Sequence, residues 1–362
     1  MHIQLLKQEM PPQAYKGRGA LSRPAGRYAA HIVESVDGCE ESMSPPQTVL
    51  RAITARSIIS SNNSPDIPFD RSINPYLGCE HGCVYCYARP SHSYLDLSPG
   101  LDFETRIFYK PNAVDLLVAE WSKPSYECKP ITIGSNTDPY QPAEKKLGLT
   151  RKLLAAFLEH RHPVSLITKG GLMSRDLDLL SELADRGLCS VAVSVPTMDD
   201  RLKRLLEPRV PAAAVRFRLI QDLSSAGIPV TLLMAPIIPA VKDAEIESVI
   251  EVAAKSGAGH AAWILLRLPH ELKQIFVEWL DTHMPQRSGH VMSLLRQAGG
   301  GKDYDHRFGI RQRGRGPYAS MINQRFRAAC ARHGIAFGES RTGLDCSRFR
   351  KPGGRQLALG ID

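Results

Sequence analysis

The sequence predicts an α/β protein built on a parallel sheet, and three observations carry that reading. From Ser72 onward, short β-branched apolar runs recur along the chain. Longer stretches with helical periodicity separate them, and Gly187, Gly227 and Gly257 follow three of these stretches where a helix would end. Strands alternating with helices are the pattern of βα units in a parallel sheet. Near-continuous apolar strands further imply a sheet covered on both faces.

The first expected strand is the segment that runs from Ser72 into a cysteine-rich loop. Residues 131–134, 164–168, 190–195, 229–235 and 261–268 supply five more, making six. Residues 147–159, 174–185, 213–225 and 243–255 read as helices between them. A doubly wound sheet and an open barrel fit this alternation equally well. The first seventy residues are rich in Pro, Gly, Ser and Arg and weakly periodic, and are expected to form an extension only partly ordered before Ser57.

A chain of 362 residues, 43% hydrophobic, is long enough for one large domain or two smaller ones. No run reaches the roughly 18 apolar residues of a membrane span, and the N-terminus lacks an apolar segment of signal-peptide length. The expected location is therefore the cytoplasm, where thiols stay reduced. Eight cysteines in so long a chain do not suggest a disulfide scaffold. The net charge of +9 is uneven: residues 1–70 sum to zero, 71–284 to −1 and 285–362 to +10. Composition and charge thus divide the chain into an extension (1–70), a core (71–284) and a basic cap (285–362).

The most informative feature is Asn74-Pro-Tyr-Leu-Gly-Cys-Glu-His-Gly-Cys-Val-Tyr-Cys-Tyr87, which spaces Cys79, Cys83 and Cys86 as C-x3-C-x2-C. Three thiolates this close can hold three irons of a [4Fe–4S] cube and leave the fourth open to a small chelating molecule. A structural zinc site is the alternative. It needs a fourth ligand, which His81 is placed to give, since no second cysteine pair follows. Cys39, Cys128, Cys189, Cys330 and Cys346 are scattered singly, so no auxiliary cluster is expected.

The expected strand ends are polar or conformationally special. Ser135-Asn-Thr-Asp-Pro-Tyr-Gln-Pro142 follows the second, Lys169-Gly-Gly the third, and Ser194 ends the fourth. Ala235-Pro-Ile-Ile-Pro239 ends the fifth and Arg267 the sixth. In a parallel barrel these ends would gather on the face where chemistry occurs.

The cysteine spacing resembles that of the radical SAM superfamily. That resemblance implies a partial (β/α)6 TIM-like barrel, a [4Fe–4S] cluster on Cys79, Cys83 and Cys86, and S-adenosylmethionine (SAM) bound to the open iron. It also implies reductive cleavage of SAM to a 5′-deoxyadenosyl radical that abstracts hydrogen from a substrate, with an electron donor of flavodoxin or ferredoxin type. Bound SAM would need a carboxylate partner, acceptors for its amino group, ribose hydrogen bonds and an apolar slot. Lys169, Asn136 or Asp138, Ser194, and Tyr85 with Ile237 are the candidates for these four roles. The cysteine block, together with Gly100-Leu-Asp-Phe-Glu104, Asn136-Thr-Asp-Pro-Tyr-Gln-Pro142, Glu207-Pro-Arg209 and Ala235-Pro-Ile-Ile-Pro239, is similar to a bacterial subfamily related to spore photoproduct lyase. By that resemblance Lys169 and Ser194 contact SAM. The hydrogen-donor cysteine of the lyase has no counterpart here, because the second strand ends in Gly134-Ser-Asn-Thr-Asp and Cys128 precedes that strand. Tyr140 has two readings, a hydrogen relay or a residue packed against the barrel rim. Pro196 stands in Ser194-Val-Pro-Thr-Met-Asp where the subfamily pattern has threonine.

Residues 287–315 interleave Arg287, Arg296, Lys302, Arg307, Arg311, Arg313 and Arg315 with Tyr304 and Phe308. Such a mixture suits nucleic acid, with phosphates on guanidinium groups and bases stacked on rings. The candidate contacts are Arg307, Arg311, Arg313 and Arg315, within a partner-binding segment 285–355. The other reading is a solvated cap over the open side of the barrel. A helix over 318–333 is expected to dock through Ile322, Phe326 and Ala329. The functional expectation is a radical SAM enzyme, with nucleic acid as a candidate substrate in a DNA-repair-lyase-like reaction. Its rivals are an iron–sulfur nucleic-acid-binding protein without SAM catalysis, and a radical SAM enzyme acting on protein or a small molecule.

Overall fold

The computed structural model of the chain describes residues 14–29, 46–338 and 343–353. Cys39, parts of the N-terminal extension (1–13 and 30–45) and the stretches 339–342 and 354–362 lie outside the described residues. Six parallel strands form the core: β1 (Arg71–Ile73), β2 (Ile131–Ile133), β3 (Val164–Thr168), β4 (Cys189–Ser194), β5 (Val230–Ile237) and β6 (His260–Leu265). All six expected strands are present. A short β7 (Ala336–Phe337) extends the sheet in parallel beyond β6, and Ile59–Ser61 pairs antiparallel with β1 at the other edge.

The strand order removes the ambiguity left by the sequence. Neighbours follow chain order from β1 to β6 without reversal, whereas a doubly wound sheet reverses at a switch point. With right-handed crossovers, unidirectional order puts every connecting helix on one face. The two edges of the sheet do not pair with each other, so the sheet is open, as a partial barrel requires.

The register explains how the faces divide. Ser72, Thr132, Ser165 and Ser190 stand in one row across β1 to β4, and Thr132 and Ser165 share a hydroxyl hydrogen bond of 2.7 Å. The alternate positions, such as Ile133, Leu166 and Val191, are fully buried in the main core. Helices Leu177–Ala184, Ala213–Ser225 and Ile246–Lys255 pack on the strands that precede or follow them. Gly187, Gly227 and Gly257 have φ of 69°, 74° and 96° after these helices, the left-handed conformation expected of a C-terminal cap. The expected helix over 147–159 is interrupted at Gly148, whose φ is 62°, leaving Glu144–Leu147 and Leu149–Glu159.

The described parts of the N-terminal extension are held by backbone pairing and buried contacts. Ala20 and Leu21 are buried, and the N–H groups of Gly19 and Ala20 donate to Glu104 at 3.0 and 2.7 Å. Val49–Ala52 pairs in parallel with Arg106–Tyr109, which also pairs with Tyr76–Leu77 in a small second sheet. This order comes from long-range partners, so local periodicity does not announce it. Among the described residues, no helix is long and apolar enough to cross a membrane.

The C-terminal segment spans the seam between the sheet edges. It holds the helix Pro285–Ala298, an irregular loop, and the helix Gly316–Arg332, which buries Ile322, Phe326 and Ala329. The loop binds β6 through Leu265 N–H to Gln312 O at 2.8 Å. It also reaches the opposite edge, where Asp66 accepts from Gly309 N–H at 2.6 Å and Arg311 at 2.5 Å.

Candidate active site at the carboxyl ends of the strands

The loop carrying Cys79, Cys83 and Cys86 follows β1 and is fixed from below by one buried arginine. Arg89 donates to the carbonyls of Gly82 (3.1 Å), Cys83 (2.9 Å), Pro99 (3.3 Å) and Gly100 (2.9 Å), and to Glu104 Oε1 at 2.5 Å. All five of its N–H groups are thereby used. Two glycines allow the chain to pass close by. Gly78 and Gly82 have φ of 80° and 66°, and a Cβ on Gly82 would lie 2.6 Å from Glu104 Oε2. Side chains from other strand ends complete the frame. Gln141, after β2, accepts from Glu80 N–H at 3.0 Å and donates to Gly78 O at 3.2 Å. Val84 N–H donates to Leu206 O at 3.0 Å, and Arg209 N–H to His81 O at 3.3 Å.

The three cysteines are free thiols, Cys79 and Cys83 buried and Cys86 half-buried. Among the described residues, no three His, Cys, Asp or Glu side chains converge into a ready cage for an ion. The donor set itself fits a three-cysteine iron–sulfur site: three thiols on one loop at the strand ends, with no group among the described residues placed as a fourth ligand. His81 Nδ1 lies 3.3 Å from Asp138 Oδ2, so the histidine that a zinc site would recruit faces a carboxylate instead. Burial pushes all three thiols up from their ordinary values, so as free groups they stay protonated and a cationic partner must offset that burial to make them thiolates.

Beside this loop lies a buried group of charges that joins four of the strand ends. Lys169, after β3, donates to Ser194 Oγ at the end of β4 (2.5 Å) and to Ala235 O in β5 (3.3 Å). Its ammonium also stands 3.3 Å from Glu207 Oε1. Glu207 accepts from the Tyr85 hydroxyl and pairs with Arg216 at 2.8 Å, and both charged residues are fully buried. Burial pushes the Glu207 carboxyl up, but Arg216 and Lys169 more than reverse this and hold it well below the usual carboxylate range. The ammoniums of Lys169 and Lys242 each lie 5.7 Å from the centre of the Tyr85 ring. At the end of β6, Arg267 stacks on Tyr87 at 4.1 Å, and the Tyr87 hydroxyl donates to Ser135 O after β2. Every strand end from β2 to β6 therefore touches the cysteine loop or its immediate partners.

The structure sorts the residues singled out from the sequence. Tyr85, Lys169 and Ser194 stand together, and Ile237 is buried at the end of β5. Asp138 is a brace, with both oxygens committed. Tyr140 N–H and Thr168 Oγ1 donate to Oδ1 at 2.9 and 2.7 Å, and Lys169 N–H to Oδ2 at 2.7 Å. Burial raises the Asp138 carboxyl, but His81 and these bonds leave it lowered overall. The side-chain amide of Asn136 has no hydrogen bond among the described residues, while its N–H is held by Asn74 at 2.9 Å. Of the two candidates for the SAM amino group, Asn136 is thus the one with free capacity. The Tyr140 hydroxyl is bound to the buried Asp176 at 3.2 Å, which also pairs with the partly exposed Arg151 and Arg175.

Three residues of this site were not identified as such from the sequence: Glu207, Arg216 and Lys242. Glu207 lay in the quoted Glu-Pro-Arg motif, but its role depends on Arg216 in the next helix, and no local pattern links the two. The four arginines assigned to nucleic acid are largely engaged within the protein. Arg307 pairs with Asp305 at 2.6 Å, Arg311 with Asp66 at 2.5 Å, and Arg313 stacks on Trp263 at 4.7 Å. Arg315 is exposed, its guanidinium donating to Gly300 O at 3.5 Å.

Comparison with known proteins follows the same lines. The Radical SAM superfamily matches residues 73–253, half of the chain. An uncharacterized protein of Mycobacterium tuberculosis is 35% identical over 237 residues, which cover 65% of this chain and 70% of that one. An uncharacterized protein of Methanocaldococcus jannaschii is 30% identical over 173 residues, 48% of this chain and 62% of that one. Among solved structures, a serine-for-cysteine variant of spore photoproduct lyase superposes with a TM-score of 0.59 at 16% identity, covering 80% of this chain and 81% of the lyase. A further variant of the lyase, with bound AdoMet and dinucleoside spore photoproduct, gives 0.57 at 15% identity with the same coverage. At such identities the likeness is one of fold.

Proposed function

This chain belongs to the radical SAM superfamily and is an enzyme, and we propose that Cys79, Cys83 and Cys86 hold a [4Fe–4S] cluster at which SAM binds. When bound, such a cluster supplies the electron that divides SAM into methionine and a 5′-deoxyadenosyl radical, which takes hydrogen from the substrate. The observation that carries this reading is the convergence of five strand ends on the cysteine loop, with Lys169 and Ser194 bonded to each other inside it.

The protein's own part is binding, orientation and exclusion of water. Arg89 and Glu104 fix the path of the loop, and Gly82 lets it pass over the Glu104 carboxylate. Lys169 presents a cation to the SAM carboxylate, held in direction by Ser194 and Glu207. Asn136 offers an amide oxygen to the amino group, while Tyr85 and Ile237 supply apolar surface for adenine. Tyr85, Ser194 and Ile237 are buried, so a radical formed beside them would be shielded from hydrogen donors other than the substrate. The electron donor is proposed as a flavodoxin- or ferredoxin-type protein.

For the substrate, the pairing of Arg311 with the largely buried Asp66 favours a protein or small molecule, with residues 285–338 bracing the seam. Nucleic acid is the competing substrate class, supported by the +10 charge of the segment. Protein reconstituted anaerobically with iron and sulfide, then reduced, tests the main reading: it should form 5′-deoxyadenosine from SAM. Cys83→Ala should form none. A reconstituted, reduced wild-type protein that leaves SAM intact overturns the proposal.

A further inference from the structure

We propose that Lys242 is an oxyanion-binding residue of the strand-end site, whose ammonium takes a carboxylate or phosphate group of a bound ligand. The proposal rests on the reading that ligands bind at these strand ends. Lys242 follows the Ala235–Pro239 segment at the end of β5 and is fully buried. Its N–H is fixed to Ile238 O at 3.3 Å, yet its Nζ has no hydrogen-bond partner among the described residues. The face of Tyr85 lies 5.7 Å from it, and Glu207 and Glu245 attract it without a hydrogen bond among the described residues. A buried ammonium is costly unless it is paired and hydrogen-bonded.

The surrounding acids are already committed. Glu207 gives Oε1 to Tyr85 and Lys169 and Oε2 to Arg216. Glu245, three residues along, accepts from Thr197 Oγ1 at 2.8 Å and from Met198 N–H at 2.6 Å. Lys169, Arg216 and Lys242 all face Glu207, and burial lowers Lys242 from its ordinary value to about 7, so the protein alone holds its charge weakly and a bound anion would strengthen it. The two lysines also differ in kind. Lys169 is aimed by three protein groups at the mouth of the site, whereas Nζ of Lys242 has no hydrogen bond among the described residues and keeps all its donors for an anion deeper in. That anion is either the carboxylate of SAM itself or an oxyanion on a second ligand, the substrate.

The test uses the full chain, cluster-loaded and anaerobic, comparing wild type with Lys242→Met and Lys242→Arg. Calorimetry reads the affinity for SAM and for SAM methyl ester, in which the carboxylate is masked. Melting temperature is followed with and without inorganic phosphate in the presence of SAM. In the first arm, Lys242→Met weakens SAM binding about tenfold or more and Lys242→Arg restores it, while the variant and wild type bind the ester alike. The oxyanion is then that of SAM. In the second arm, SAM affinity is unchanged, but phosphate raises the melting temperature of wild type and of Lys242→Arg and not of Lys242→Met. The oxyanion then belongs to the second ligand. Either arm should come with an unchanged or higher ligand-free melting temperature for Lys242→Met, since a buried nitrogen without a hydrogen-bond partner has been removed. A lowered ligand-free melting temperature, with SAM and phosphate responses like those of wild type, overturns the proposal and makes Lys242 a structural counter-ion. Absence of SAM binding in wild type would count against the enzyme reading instead, and the phosphate arm would still report on Lys242.

Discussion

The ammonium of Lys169, just past the end of β3, lies 2.5 Å from the hydroxyl of Ser194 at the end of β4. Two residues 25 positions apart in sequence are thus one unit, joined because parallel register sets adjacent strand ends side by side. Under the proposed role, removing the cation would remove a charge-assisted bond to the SAM carboxylate. Lys169→Met should raise the dissociation constant for SAM by roughly 10- to 100-fold, and Ser194→Ala by less than about tenfold. Calorimetry on anaerobic protein measures both, and an unchanged constant in Lys169→Met contradicts the assigned role.

Arg89 and Glu104 make the second expectation. The pair is 2.5 Å apart and fully buried, and the arginine also holds four carbonyls of the cysteine loop and its neighbours. Breaking a buried pair from one side costs about 3–5 kcal/mol. Arg89→Met should lower the melting temperature and the iron content together. Cys83→Ala should lose iron while keeping most of its thermal stability, which separates loss of a ligand from loss of the loop's frame.

What the sequence disclosed follows from how local each signal is. The six strands were legible because β-branched runs and C-terminal glycines act within one element. Lys169 and Ser194 were legible because they sit directly at strand ends. The bracing contacts of Asp138 were not legible because its partners, Thr168, His81 and Lys169, come from elsewhere in the chain. Glu207, Arg216 and Lys242 were missed because only the fold shows that these charged residues point inward. The order in residues 14–29 was hidden for a related reason: Glu104, not local periodicity, holds that stretch.

The seam offers a third test. Arg311 and Asp66 join the two edges of the open sheet at 2.5 Å, with the carboxylate nearly buried. Arg311→Ala should destabilise the protein by about 1–2 kcal/mol, a fall of a few degrees in melting temperature. If the segment instead binds nucleic acid through Arg307, Arg311, Arg313 and Arg315, wild-type affinity should fall steeply with salt, and each lost phosphate contact should flatten the slope. Filter binding across a salt series decides between a brace and an interface.

Acid sensitivity gives the fourth expectation. Burial lowers His92 and His162 from 6.5 to about 4 in the folded protein. His162 Nε2 lies 2.8 Å from the Tyr126 hydroxyl and Nδ1 lies 3.0 Å from Pro163 O, which satisfies the neutral ring. Between pH 6.5 and about 4 the unfolded chain binds protons that the folded chain does not, so stability falls as pH falls. Each histidine contributes up to about 1.4 kcal/mol per pH unit in that window. Denaturant midpoints from pH 7 to pH 4 should drop, and the drop should shrink in His162→Phe.

The most direct test of the central claim is electron paramagnetic resonance on anaerobically reconstituted, reduced protein, recorded before and after SAM is added. Wild type should give a four-iron signal that shifts with SAM, shifts less at the same SAM concentration in Lys169→Met, and disappears in Cys83→Ala. A four-iron signal indifferent to SAM, or a protein that fills with zinc and gives no signal, would contradict the claim.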